Sequence, residues 1–208
     1  MPKKSSTVVA EPAMRAMDAI YERRSVRAYA PQTIEKSVIL KLLDAAVHAP
    51  TAVHEEPWAF AVIQNRETLK RLSEKAKELL PKMEGLVHLR DGSAHRFTPP
   101  DDVFHGAGTL IAIYGRALGP FVAADCWLAA ENLMLAATSM RLGTCIIGLA
   151  VAALDTPEWR AELKVPAEMT VYAPIILGVP AGATPATARR KPQVLMWKSG
   201  RTARSQNG

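Results

Sequence analysis

The chain has 208 residues and a mass of 22.6 kDa, with 49% hydrophobic residues, 22% charged residues and a formal net charge of +6. That apolar share excludes a disordered chain, and two cysteines, Cys126 and Cys145, exclude a disulfide scaffold or a cysteine-rich zinc module. The basicity is terminal: eight of the 26 bases lie in the first ten and last twenty residues, where no acid occurs, so the body holds 18 bases against 20 acids, a net of −2.

Residues 1–12 read as a flexible basic leader without the apolar segment of a secretory signal, so cytoplasmic residence is expected. From Ala13 to Arg23, Met14, Met17, Ile20 and Tyr21 have helical spacing. Ala30-Pro31 breaks the helix, and Thr33 is placed to cap a second one with the face Val38, Ile39, Leu42, Leu43 and Ala46. That helix must stop near Ala49-Pro50. Pro57 to Gln64 has strand length and composition, and a helix follows with Leu69, Leu72, Ala76 and Leu79 on one face. Residues 81–106 have no clean period and read as a long loop. Leu110 to Tyr114 reads as a buried strand. Phe121 to Leu142 is a long helix, apolar nearly all round, which belongs at a core or an interface. Asp125, Glu131 and Arg141 within it argue against a membrane span.

Gly143 stands where a helix-terminating glycine is expected. Thr144 to Ala150 reads as strand. Thr156-Pro157 opens a short helix through Leu163, and Met169 to Val179 is the last strand. The expected layout is one domain over 13–198 with a flexible basic tail at 199–208. Helices and strands alternate without the cadence of a doubly wound sheet, so the fold class is α+β.

Several common chemistries fail at specific positions. Gly106-Ala107-Gly108 lacks the third glycine of a dinucleotide fingerprint. Gly143 to Gly148 has P-loop spacing, but Leu149 stands where a lysine is needed. Gly-x-Ser-x-Gly does not occur. His48, His54, His88, His95 and His105 have no metal-ligand spacing to one another, so no metal site is expected. The basic tail alone does not make a nucleic-acid module, and nucleic acid is not an expected partner. The strongest local signal is Arg23, Arg24, Ser25 and Arg27, three guanidinium groups and a hydroxyl at a helix end, which suits a phosphate monoester or simply a solvated basic surface. Arg189-Arg190-Lys191 is a second basic group.

Five segments in order resemble the nitroreductase family of FMN flavoproteins across about residues 13–198. They are Ile20 to Arg27 (IYERRSVR), Ala45 to Ala52 running into Pro57-Trp58, Asp125 to Ala137 (DCWLAAENLMLAA), Leu142 to Gly148 (LGTCIIG), and Leu177 to Pro180 followed by Arg190-Lys191-Pro192 and Trp197. The resemblance implies a central, mostly antiparallel sheet flanked by helices in an intertwined homodimer, with FMN in each interface cleft. It implies NADH or NADPH as hydride donor and a ping-pong reduction of nitroaromatic, quinone or related small-molecule acceptors. A flavin-destroying or dehalogenating branch of the fold is the alternative, and a non-catalytic flavin carrier or sensor is another. No side chain is assigned a catalytic role, because the flavin carries the hydride.

By the same resemblance, Arg23, Arg24, Ser25 and Arg27 match the opening phosphate and ribityl contacts. Pro50, Thr51, Ala52 and His54 match the loop that the second subunit lays on the flavin. Ile147 and Gly148 match backbone beside the flavin, and Arg190 and Lys191 match closing phosphate contacts. This chain departs from the family pattern at His54, where many members have Asn, and at Glu56, where they have Gln. A neutral imidazole offers one donor and one acceptor, and a protonated one offers two donors.

Overall fold

The computed structural model describes residues 14–80 and 100–199. The expected leader, most of the 81–106 loop and nearly all of the tail's last ten residues lie outside that range. The elements run α1 (Ala16–Glu22), α2 (Lys36–Val47), β1 (Trp58–Ile63), α3 (Arg66–Leu79), β2 (Thr109–Arg116), α4 (Val122–Ser139), β3 (Gly143–Ile146), α5 (Val151–Leu154), α6 (Pro157–Glu162) and β4 (Met169–Gly178), with 3-10 turns at Ala52–His54 and Gly148–Ala150.

The four strands form an antiparallel sheet in the order β1-β2-β4-β3. Both faces are covered, which is why β2 and β4 are nearly continuous apolar runs. Ile111, Ile113, Ala173, Ile175 and Leu177 pack against α2 and α4. Leu110, Ala112, Tyr114, Val171 and Ile176 face the other way, onto Leu69, Leu72 and Ala76 of α3, Leu154 and Trp159. The period of two along each strand assigns these faces. Ile113 pairs with Ala173 and Tyr114 with Val171, so Tyr172 is the extra residue of a β-bulge. The class is therefore α+β, as the element pattern predicts.

Three local expectations are corrected. Thr33 does not cap α2. Ile34 is buried and its carbonyl accepts Gln64 Nε2 at 2.8 Å, so the helix starts only at Lys36, after an extended Glu35. Gly143 does not terminate α4. Arg141 takes the left-handed position (φ 59°), and Leu142 N donates to Ala137 O at 2.9 Å to close the helix end. Gly143 instead begins β3, where a Cβ would lie 2.8–2.9 Å from three carbons of Val26. The strand expected to Ala150 ends at Ile146 and gives way to the 3-10 turn and α5. The Thr156 cap is as expected: its hydroxyl accepts from Trp159 N at 3.5 Å with Pro157 behind it.

Cys126 lies on the buried face of α4. Burial, and then the charge of neighbouring Asp125, push its thiol up to about 12. An unfolded thiol ionises near about 8.5. Between those values the native state keeps a proton that the unfolded state has lost, so stability falls as pH rises. The denaturation midpoint of the wild type is expected to drop between pH 8 and pH 10, and that of Cys126→Ala to drop less. Equal drops would remove Cys126 from the account.

Candidate functional site

The site is built on the edge of the sheet. After α1, residues 23–30 run beside β3 and the end of β4. Ser25 bridges Thr144, Val26 N donates to Thr144 O at 2.9 Å, and Ala30 N donates to Val179 O at 2.8 Å. Tyr29 Oη donates to Val26 O at 2.7 Å, which braces the segment from within. Beyond β4 the chain turns back, held by Ala181 N donating to Ala28 O at 2.9 Å. The two segments enclose a cleft of about 430 Å³, with Arg23, Arg24, Ser25 and Arg27 on one side and Thr184, Thr187 and Arg189 on the other. It presents four guanidinium groups and three hydroxyls, and among the described residues no acid lines it. Such a donor set suits a phosphate dianion.

The four arginines are not equivalent. Arg24 Nη1 donates to Tyr21 O at 2.6 Å and to Arg23 O at 2.9 Å, so it caps the end of α1 as well as lining the cleft. Arg23 Nε is 3.7 Å from Glu131 of α4, a loose pair. Arg27 has no hydrogen-bond or ion-pair partner among the described residues. Its charge reaches the half-buried His105, whose imidazole is drawn below its ordinary value first by burial and then by Arg27, against the opposing pull of Asp102. Cys145, under the same segment, has its thiol raised by burial even though Arg27, Ser25 and Arg23 oppose this, so it is a packed thiol and not an activated one.

The other expected site residues fall in two further places. Pro50, Thr51, Ala52 and His54 lie between α2 and β1. Ala52 N donates to Asp125 Oδ1 at 3.2 Å, which ties this loop to the first turns of α4. Arg23 meets the same helix at Glu131, six residues and so about 9 Å further along its axis. Val53, His54 and Glu56 all have positive φ (47°, 59° and 45°), and His54 is exposed. Backbone strain of this kind clusters at functional sites. Ile147 is buried, with its N–H spent on Pro174 O at 2.8 Å and its carbonyl on Ala150 N. Gly148 beside it is exposed, and a Cβ there meets nothing within 4 Å. The open backbone at this turn is thus Gly148 and not Ile147.

The structure brings the tail to the arginine cluster through Arg189. Arg190 and Lys191 follow it on exposed chain. Thr184, Pro185, Thr187 and Arg189 are the lining residues that sequence reasoning left out of the site, and Arg189 carried a signal as the first of three consecutive bases. Asp125 was missed as well. Its signal was an acid in the first turns of a largely apolar helix, at a position the structure buries.

Comparison with known proteins settles the family. The model described as "Nitroreductase family" matches residues 20–179. The chain belongs to the nitroreductase family. A family relative in Methanothermobacter thermautotrophicus, named "Putative NADH dehydrogenase/NAD(P)H nitroreductase", is 32% identical over 168 residues, which is 81% of this chain and 78% of the relative. A nitroreductase of Bacteroides fragilis, crystallised with bound FMN, superposes with a TM-score of 0.73 at 27% identity, covering 90% of this chain and 100% of that one. An iodotyrosine deiodinase bound to FMN and 3-iodo-L-tyrosine shares the nitroreductase fold, with a TM-score of 0.73 at 21% identity over 86% of this chain and 97% of the other.

Proposed function

We propose that this nitroreductase-family chain is an FMN-dependent oxidoreductase that takes reducing equivalents from NADH or NADPH and passes them to nitroaromatic, quinone or related acceptors in ping-pong order. The observation that carries the reading is the cleft with four guanidinium groups and, among the described residues, no acid in its lining. Its donor set fits the phosphate of FMN, whose flavin supplies the hydride-accepting and hydride-donating centre when bound. In this reading Arg23, Arg27 and Arg189 hold the phosphate, Ser25 adds a hydroxyl, and Arg24 lines the cleft while capping α1. Arg190 and Lys191 add positive charge where the tail passes the cleft. Gly148 offers backbone with space before it, next to the buried Ile147. No side chain is needed as acid or base, so none is given that role. The unit is a single domain over 13–198, and cytoplasmic residence fits its use of reduced nicotinamides.

The test is a visible spectrum of the purified protein followed by anaerobic titration. The expected result is a yellow protein with releasable FMN, bleached by one equivalent of NADH or NADPH and recoloured by a nitroaromatic or a quinone. A colourless protein that takes up no added FMN would overturn the reading.

A homodimer is part of the proposal. Apolar side chains are left in solvent on α1 (Met17, Ile20 and Tyr21), on α4 (Trp127 and Leu128) and in the tail, where Val194, Leu195, Met196 and Trp197 are 61–90% exposed. An apolar surface this extensive marks an interface. A second subunit covers it and brings its own Pro50–His54 loop to the first subunit's flavin. Obligate interfaces of this kind commonly bury more than about 2,000 Å². Sedimentation at micromolar concentration is expected to give a dimer, and a folded, flavin-loaded monomer would refute it.

A second reading, reductive dehalogenation, is favoured by the shared fold with the deiodinase and by 38% identity to the Danio rerio iodotyrosine deiodinase over 56 residues, which is 27% of this chain and 19% of that protein. Release of iodide from 3-iodo-L-tyrosine by the reduced protein, without turnover of nitroaromatics, would select it.

A further inference from the structure

Asp125 is 4% exposed on α4. Its Oδ1 accepts the Ala52 amide at 3.2 Å, and its Oδ2 is buried with no hydrogen-bond partner among the described residues. A buried carboxylate with one bond is a costly choice of side chain, and an apolar residue of similar volume would pack more cheaply. The positive end of the helix dipole, near which Asp125 lies, offsets part of that cost.

What the carboxylate touches is equally costly. Immediately after Ala52 the backbone enters the left-handed region at Val53, His54 and Glu56 with no glycine to ease it. A β-branched residue such as Val53 is among the least suited to that conformation. Packing does not hold it there, since Val53 is 82% exposed, and the turn has no side-chain cap from Thr51. Within the turn Glu55 N donates back to Ala52 O at 3.1 Å, so Ala52 is bonded on both sides: its carbonyl to the turn and its amide to α4.

We propose that Asp125 is a positioning residue whose carboxylate pins the Ala52 amide and so holds Val53, His54 and Glu56 in their left-handed conformations, presenting Thr51 to His54 as a rigid edge. The pin acts on loop geometry alone, and its consequence for cofactor binding rests on the proposed flavin role of that loop. Loss of the pin frees the strained segment to relax, and the loop then meets its ligand only after being reordered.

The test uses Asp125→Ala, Asp125→Asn and Ala52→Pro. Asparagine keeps an Oδ1 acceptor. Proline removes the donor while keeping Asp125 in the chain. Thr51 already has the extended conformation (φ −128°, ψ 152°) that a residue before proline requires, and the proline Cδ takes the place of the amide hydrogen, so the ring breaks the contact by pushing the carboxylate aside as well as by removing the donor. Hydrogen–deuterium exchange of the Glu55 amide, which is bonded to Ala52 O at 3.1 Å, is followed in flavin-free protein, and the FMN release rate in loaded protein. Asp125→Ala and Ala52→Pro are expected to raise exchange tenfold or more and to speed FMN release by a similar factor, while Asp125→Asn stays within about threefold of wild type in both. If Asp125→Ala fails to fold, Ala52→Pro alone carries the comparison. Unchanged exchange in the folded variants overturns the pin, and faster exchange with unchanged FMN release overturns its role toward the cofactor. A wild type that takes up no FMN, with exchange still raised in the variants, overturns the flavin reading and upholds the pin.

Discussion

Arg27→Ala is expected to weaken FMN binding by roughly 10- to 150-fold, the equivalent of about 1.5–3 kcal/mol for a hydrogen bond to a charged group. The argument turns on what each arginine already does. Arg27 has no partner among the described residues, so removing it frees nothing and forfeits the whole of its proposed contact with the phosphate. Arg23 shares its guanidinium with Glu131 at 3.7 Å, so part of its charge is already neutralised and less of it acts on a phosphate. Its expected penalty is at the lower end of the same range. Arg24 donates to the carbonyls of Tyr21 and Arg23, so Arg24→Ala should destabilise the end of α1 more than it lowers affinity. Fluorescence titration of FMN, run at two salt concentrations, ranks the three. Affinity unchanged in both Arg23→Ala and Arg27→Ala would mean that the cleft does not hold the phosphate.

How much of this was legible depends on the kind of signal each residue carries. A period of 3.6 marked α3, which buries one face, while β2 was marked by an unbroken apolar run, because a strand covered on both faces shows no alternation. The apolar pattern also marked α4 as apolar nearly all round, and the exposed Trp127 and Leu128 show why: the helix has a second face to cover. Helix ends were less legible. Glycine is the usual left-handed residue, yet Arg141 takes that position and Gly143 is spent on a close approach two residues later. The left-handed turn at Val53, His54 and Glu56 has no residue that announces it. The arginine cluster was visible as composition, but its union with Arg189 depends on how the chain turns back at Ala181, a long-range fact that no local spacing contains. The buried state of Asp125 is likewise a property of the packed helix and not of its neighbours in sequence.

Gly143→Ala is expected to damage stability and flavin binding together. A Cβ at Gly143 would lie 2.8–2.9 Å from Cβ, Cγ1 and Cγ2 of Val26, where carbon atoms prefer about 3.5–4.0 Å. Rotation cannot relieve this, because the Val26 Cβ is itself one of the contacts and a β-branched side chain has little freedom at χ1. The 23–30 segment must therefore lift from β3. That strains the Val26–Thr144 hydrogen bond and the Ser25 bridge, which together place Arg23 and Arg27. Overpacking of this kind costs about 1–3 kcal/mol, or roughly 2–12 °C in Tm for a domain of this size. FMN affinity falls with it because the arginines move. Val26→Gly removes all three contacts at the expense of a buried side chain. In the Gly143→Ala background it should restore affinity and cost less than its effect in the wild type, so the two substitutions are non-additive. Gly148→Ala is the control. Its Cβ meets nothing within 4 Å, so Tm should hold, while affinity falls if the flavin approaches that backbone. A Gly143→Ala protein with wild-type Tm and FMN affinity, or strictly additive costs in the double variant, would mean that the arginines are not held in place through Val26.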